Sequence, residues 1–348
     1  MRSIIEQIND EKNNTQKRTE YFSSGFLKNV QNKWNEKLDG IQIEYWENQN
    51  IKTKQFFQNG FPINYYASYY ENGNLKERYY IKNGVKHGIY IFNYENKKVK
   101  EICYYHFGKL NGKYLNFFEN ENTKSLGYYK NDKKIGIFKK YYENSKIKSI
   151  IRYKDGKKNG NMKEFYDSGE LKYKIYFKND NRHDFSYKYY KNSSILYCRH
   201  YKNGLLDGIC LRYNDKNELL YQYNYVNNIR QGSYERHNES ITVKGEYLNG
   251  NKHNLEIYLK NNIIEKILNY KYGHLNGIQH INIISGYICC YKDNSKYLLG
   301  SMHNYNNCCI CWEKTVFITK CKHNLCSSCL DKTTNTKCPV CRRELEVF

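Results

Sequence analysis

One position in this chain recurs every 24 residues, and that recurrence restricts the fold more than any other feature. The position is small or turn-forming: Gly40, Asn64, Gly88, Gly112, Gly136, Gly160, Asp184, Gly208 and Gly232. Five residues later an aromatic stands in most repeats, as at Tyr45, Tyr69, Phe117, Tyr141, Phe165, Tyr189 and Tyr213. Seventeen later stands a second set, Phe57, Tyr105, Tyr129, Tyr153, Phe177, Tyr201 and Tyr225. Twenty later comes a turn residue, often in an Asn-Gly or Asp-Gly pair such as Asn83-Gly84 or Asp155-Gly156, and such pairs favour two-residue hairpin turns. A further turn falls eight or nine residues after the anchor, for example Asn72-Gly73 and Ser168-Gly169. Two turns per repeat leave two strands of about six or seven residues, so each repeat predicts a β-hairpin. The whole predicts an elongated meander whose units touch only their neighbours.

The residue content agrees with a thin sheet. There are 39 tyrosines among 348 residues and only two prolines, and tyrosine buries its ring while its hydroxyl reaches water. That suits a sheet with one wetted face better than an oily core. Residues 1–15 are polar apart from Ile4, Ile5 and Ile8 and read as a short helix or disordered lead. The array is traced from 16 to 300, slipping phase after Gly232 into weaker units near Asn254 and Gly277. Residues 286–307 lose the period, and 301–307 form the expected linker to the last segment, 308–348.

That segment holds eight of the thirteen cysteines. Its spacing is Cys308-x2-Cys311, then Cys321-x-His323-x2-Cys326-x2-Cys329, then Cys338-x2-Cys341. Seven thiolates and one imidazole fill two tetrahedral sites, and soft sulfur with imidazole selects zinc. No coordination position is left for a water, so both zinc ions would be structural. Cys309, inside the first pair, reads as a free surface cysteine. Cys103, Cys198, Cys210, Cys289 and Cys290 have no framework spacing, which points to a reducing, intracellular compartment.

The order of three Cys, one His and four Cys resembles the RING finger family from Cys308 to about Arg343. The resemblance implies a cross-brace, with Cys308, Cys311, Cys326 and Cys329 on one zinc and Cys321, His323, Cys338 and Cys341 on the other. It also implies recruitment of a ubiquitin-charged conjugating enzyme. Ile310 matches the family's aliphatic contact, Pro339 the proline of the closing turn, and Arg342 the basic residue after the last ligand. Thr333 departs from the tryptophan that many members carry. The repeat unit, best seen in YYENGNLKERYYIKNGVKHG from Tyr69 to Gly88, resembles the 24-residue variant of the MORN repeat. That family supplies scaffolds and interaction surfaces, some of them at anionic membranes, and shares no catalytic residues.

The formal net charge is +22. Seven ligand thiolates would remove seven charges and two zinc ions restore four, leaving about +19. Such a field attracts anionic partners without naming one, and an AT-rich genome accounts for part of it. His87, His183, His253 and His274 lie near the anchors and read as turn caps or exposed side chains. No nucleophile-and-base, phosphate-loop or paired-carboxylate motif stands out in the array. No run approaches the roughly 20 apolar residues of a membrane span.

The reading is therefore mainly β: a MORN-like hairpin array followed by a zinc-bound RING domain. Its expected activity is that of a RING-type ubiquitin ligase in the cytoplasm, a host cytoplasm if the source is a virus. Its expected partners are a conjugating enzyme and a protein target selected by the array. The alternatives are a non-catalytic zinc adaptor and a scaffold on an anionic membrane surface; nucleic acid ranks below both, because the tyrosines are explained by packing.

Overall fold

Asn83 and Gly84 both take left-handed φ values, 51° and 74°, as a two-residue type I′ turn requires. The same paired values recur at Asn59-Gly60, Phe107-Gly108, Asn131-Asp132, Asp155-Gly156, Asn179-Asp180, Asn203-Gly204 and Asn227-Asn228. These tips fold the chain into hairpins at the predicted period. The computed structural model describes residues 5–281 with the stretches 287–292, 295–301, 306–307 and 314–315, and side chains over 5–277. Among these residues there is no helix. The chain divides into two units, Met1–Asn181 and Arg182–Phe348, and the described strands of each up to Ser301 form an open antiparallel meander.

The strands are longer than the spacing suggested. Leu75–Lys82 has eight residues and Val85–Asn93 nine, and this alternation repeats. The reason is that the anchor does not end a strand; it lies at a bulge within one or at its first residue. In the hairpin Val99–His106 and Lys109–Phe117, Tyr105 faces Leu110 but Cys103 faces Tyr114. The residues between, Asn111 to Lys113, oppose Tyr104 alone. Gly112 takes φ 124°, and a β-carbon there would lie 3.1 Å from that of Tyr104. Across the following hairpin the anchor faces the aromatic seventeen residues on, as in Gly88 with Tyr105 and Gly136 with Tyr153.

One expectation needs correction. The lead is neither helix nor disorder where it is described: Ile5–Asp10 is a strand paired with Thr15–Tyr21. The edge of Thr15–Tyr21 presents unpaired backbone groups, and a strand satisfies them where a helix could not. The phase slip has a local cause, since Asn238 faces Ile241 across a two-residue turn where earlier repeats use a longer one. The meander also outlasts its period, with Tyr287–Lys292 paired to Ser295–Ser301; ladder bonds are made by backbone and need no particular side chain.

The core is a column of side chains running across the strands. In the first unit it includes Tyr66, Tyr79, Tyr90, Cys103, Tyr114, Gly127, Phe138 and Ile151, in which consecutive members face each other or pack together. Tyr66 stacks on Tyr79 at 4.9 Å between centroids and Tyr79 on Tyr90 at 6.0 Å. Cys103 is 1% exposed and Phe138 7%, while most tyrosines remain half-buried. The second unit centres on Tyr223, Tyr234 and Val243. The expected thin sheet, packed by tyrosine rings, is what forms.

Candidate metal centre and the cationic edges of the array

The eight candidate ligands, Cys308, Cys311, Cys321, His323, Cys326, Cys329, Cys338 and Cys341, lie outside the described residues, as do Ile310, Pro339 and Arg342. One short ladder flanks the first pair in sequence: Asn306–Asn307 runs antiparallel to Lys314–Thr315, with Asn307 facing Lys314. The donor set itself fits zinc, being seven potential thiolates and an imidazole. Among the described residues no group of three or more His, Cys, Asp or Glu is placed to hold a metal ion. The described residues also contain no helix long and apolar enough to cross a membrane.

In the array, histidine serves structure. His87 Nδ1 accepts from the backbone N–H of Phe107 at 3.4 Å, and His183 Nδ1 from that of Asn203 at 3.4 Å. Each caps a type I′ tip in the following repeat, as the sequence reading expected. Asp39 and Gln231 do the same for Asn59 and Asn249. His253 packs against Tyr272 at 5.4 Å.

Buried and half-buried carboxylates are bound to tyrosine rather than poised for acid–base work. Tyr90 donates to Glu77 and Tyr114 to Glu101, both at 2.9 Å. Glu256, 1% exposed, accepts from Tyr234, from Tyr258 at 3.1 Å, from Arg236 at 3.2 Å and from Lys252. Burial alone would raise its pKa, yet the bonds from Lys252 and Tyr234 hold it below the ordinary carboxylate value. Burial also drives up the Cys103 thiol and the hydroxyls of Tyr79 and Tyr105, each to about 12. These groups stay neutral near pH 7, and Cys103 is no nucleophile. An open cleft of about 500 Å3 is lined in part by Gln42, Glu44, Thr53, Tyr66, Tyr79 and Lys86.

One periodic feature escaped the sequence reading. Each repeat of the first unit carries a second β-bulge; Leu75 faces Tyr69 and Glu77 faces Ser68, leaving Lys76 as the extra residue. A bulge re-aims its side chain, and here it lays the ammonium over an aromatic ring of the same repeat. Lys52 lies 5.0 Å from the Trp46 centroid, Lys76 5.6 Å from Tyr70, Lys100 5.1 Å from Tyr94 and Lys148 5.2 Å from Tyr142. The rings are fixed in turn by the next repeat: Tyr94 donates to the carbonyl of Phe117 at 2.9 Å and Tyr142 to that of Phe165 at 2.8 Å. The 24-residue spacing of Lys52, Lys76, Lys100, Lys124, Lys148 and Lys172 was the available signal.

Comparison with known proteins agrees with this division. Residues 304–348 match the family model described as zinc finger, C3HC4 type (RING finger). Residues 86–106, 134–155 and 158–179 match that of the MORN repeat variant. The chain thus carries a C-terminal RING finger, a zinc-binding domain, and an array containing MORN variant repeats, whose family matches cover only part of it. No curated protein matches. Among solved structures, a crystal structure of TcdB2-TccC3 without its hypervariable C-terminal region is 10% identical, with a TM-score of 0.17, covering 89% of this chain and 17% of that one. A crystal structure titled TcdB2-TccC3-TEV is 9% identical, with a TM-score of 0.12, covering 92% of this chain and 23% of that one. The chain therefore spans less than a quarter of either.

Proposed function

We propose that this protein is a RING-type ubiquitin ligase. The observation that carries the reading is the match of residues 304–348 to the C3HC4 RING finger, over a segment holding all eight ligands in order. Cys308, Cys311, Cys326 and Cys329 hold one zinc, and Cys321, His323, Cys338 and Cys341 the other. When bound, the two ions supply folding free energy to a segment of 41 residues, too short for a sizeable core.

Ile310 and Pro339 form the contact for the conjugating enzyme, and Arg342 restrains the ubiquitin it carries. A target lysine attacks the thioester carbonyl, the isopeptide bond forms, and the conjugating enzyme's thiolate leaves. The ligase contributes orientation and makes no covalent intermediate. The array, 16–300, selects or localises the target, 301–307 joins it to the ligase domain, and the setting is the cytoplasm. Thr333 favours one second reading, an adaptor that binds protein through the zinc domain without transfer.

Discharge of ubiquitin from a charged conjugating enzyme to free lysine separates the two. The zinc-loaded chain should accelerate discharge, and Ile310→Ala should lose that acceleration while keeping its zinc. A folded, zinc-loaded chain that accelerates no member of a conjugating-enzyme panel is the adaptor.

A further inference from the structure

The two long edges of the first unit differ in charge balance. On the edge that carries the bulge lysines, the turns also bring acidic residues, Glu71, Glu95, Glu119, Glu143 and Asp167, one per repeat. On the opposite edge, made of type I′ tips, lysines outnumber the acidic residues. From Lys109 to Lys178 it carries Lys109, Lys130, Lys133, Lys134, Lys154, Lys157, Lys158 and Lys178 against Asp132, Asp155 and Asp180. Two of those aspartates are committed to the backbone: Asp132 accepts from Leu110 N–H and Asp180 from Lys158 N–H, both at 2.8 Å.

The lysines are placed against one another. Lys130 faces Lys133 across its tip, and Lys154 faces Lys157. Directly opposed like charges destabilise a strand pair. Lys130, Lys133, Lys154, Lys157 and Lys178 are exposed, and no ion pair among the described residues reaches them. Lys134 sits beneath them with its pKa lowered, chiefly by burial and then by Lys140 and Lys158.

The tips are also tied in series by backbone hydrogen bonds. The N–H of Asp132 donates to Leu110 O at 2.9 Å, that of Gly156 to Lys134 O at 2.9 Å, and that of Asp180 to Lys158 O at 3.0 Å. Each tip is therefore docked on the preceding repeat. Successive tips stand two strand spacings apart, roughly 10 Å, so the row from Asp132 to Asp180 extends about 19 Å. The tips 130–133, 154–157 and 178–181 contain no apolar residue.

We infer that this row of lysine-bearing tips binds the phosphate backbone of a nucleic acid duplex. A regularly spaced row of cations, whose tips at 130–133, 154–157 and 178–181 lack apolar residues, fits a partner with dense, regular negative charge and little apolar surface. A folded protein interface would bring an apolar centre, and membrane insertion would require apolar side chains among the lysines. The aromatic rings on the other edge are covered by lysines, so base stacking on single strands is not supplied there. A row of about 19 Å covers roughly six base pairs at ~3.4 Å each. Contacts to phosphate alone predict binding without sequence preference.

The test uses the full zinc-loaded chain and a random-sequence duplex of about two helical turns, followed by fluorescence anisotropy across salt concentrations. Affinity should fall steeply with salt. The variant Lys130→Gln/Lys133→Gln/Lys154→Gln/Lys157→Gln should weaken binding at least tenfold at low salt and reduce the log–log salt slope by about 3 to 4. A charge-matched control, Lys12→Gln/Lys17→Gln/Lys97→Gln/Lys216→Gln, should change both far less. Circular dichroism should show both variants folded, and the tip variant should melt no lower than wild type because opposed charges have been removed. Equal losses in the two variants would overturn the proposal by making net charge alone responsible. So would absence of duplex binding at low salt, or binding at these tips of polyglutamate or phosphatidylserine vesicles in preference to duplex.

Discussion

The ring of Phe138 lies over Gly127 on the neighbouring strand, in the space that a β-carbon on Gly127 would fill. Across the other side Gly127 faces Tyr114, so the glycine is the gap in the column into which an aromatic folds. Gly245 repeats the relationship in the second unit, where a β-carbon would lie 2.8 Å from the Tyr234 ring. Neither φ is left-handed, so the constraint is packing. Gly127→Ala should destabilise the array by about 1–3 kcal/mol through overpacking, measured by urea denaturation. Phe138→Leu in the same chain should recover part of that loss.

The bond from Tyr94 to the Phe117 carbonyl ties one repeat to the next. Tyr94→Phe should cost about 1 kcal/mol by removing one neutral hydrogen bond. Tyr142→Phe, two repeats on, should add nearly independently, because contacts in such arrays are between neighbours. A double variant read by chemical denaturation checks both statements.

Alkaline pH should weaken the fold. Cys103 rises from 9.0 to about 12 and Tyr79 and Tyr105 from 10.0 to about 12. In each case the folded state keeps a proton that the unfolded chain releases first. Stability from these groups is complete below about pH 9 and is lost as pH rises towards 12. Unfolding midpoints measured from pH 8 to 11 should fall, and Cys103 should resist alkylation at pH 8 until denaturant is added.

Glu256 gathers Lys252, Arg236, Tyr234 and Tyr258 around one buried carboxylate. Glu256→Gln leaves two cations facing a neutral amide. The expected loss in the second unit is about 3 kcal/mol, at the low end for a broken buried pair, because Lys252 and Arg236 retain 28% and 42% side-chain exposure. Amide exchange in strands Gly232–Asn238 and Asn251–Lys260 should accelerate more than in strands of the first unit.

Zinc removal should separate the two parts of the chain. Chelation should unfold the ligand segment, while the β-sheet circular dichroism of the array persists, since no metal cluster occurs among its described residues. Loss of the whole signal on chelation would contradict this.

The hairpins were legible because the type I′ turn demands left-handed residues, and Asn-Gly and Asp-Gly state that demand in two letters. The anchor was legible as a period but not as a bulge. Gly112 and Asn64 look like turn residues, and only the register shows them inside strands. Strand length was underestimated for the same reason. Lys76 and its equivalents carried a strict period, yet a bulge is a property of two paired strands and has no signature in one. Ile5–Asp10 forms a strand because a waiting edge captures it, a tertiary effect that local polarity conceals. The candidate zinc ligands are read from spacing alone, since coordination number and thiolate softness restrict the metal before any fold is known, and they lie outside the described residues.

The central claim is ubiquitin transfer, and self-ubiquitination tests it most directly. Purified chain would be incubated with activating enzyme, ubiquitin, ATP and a panel of conjugating enzymes, beside Ile310→Ala and a zinc-stripped sample, with zinc content measured in each. The account predicts ladders from the native chain, with two zinc ions per chain by the usual structural-site stoichiometry, and none from either control although Ile310→Ala keeps its metal. Folded, zinc-loaded chain that forms no ladder with any conjugating enzyme, or ladders undiminished in Ile310→Ala, would contradict it.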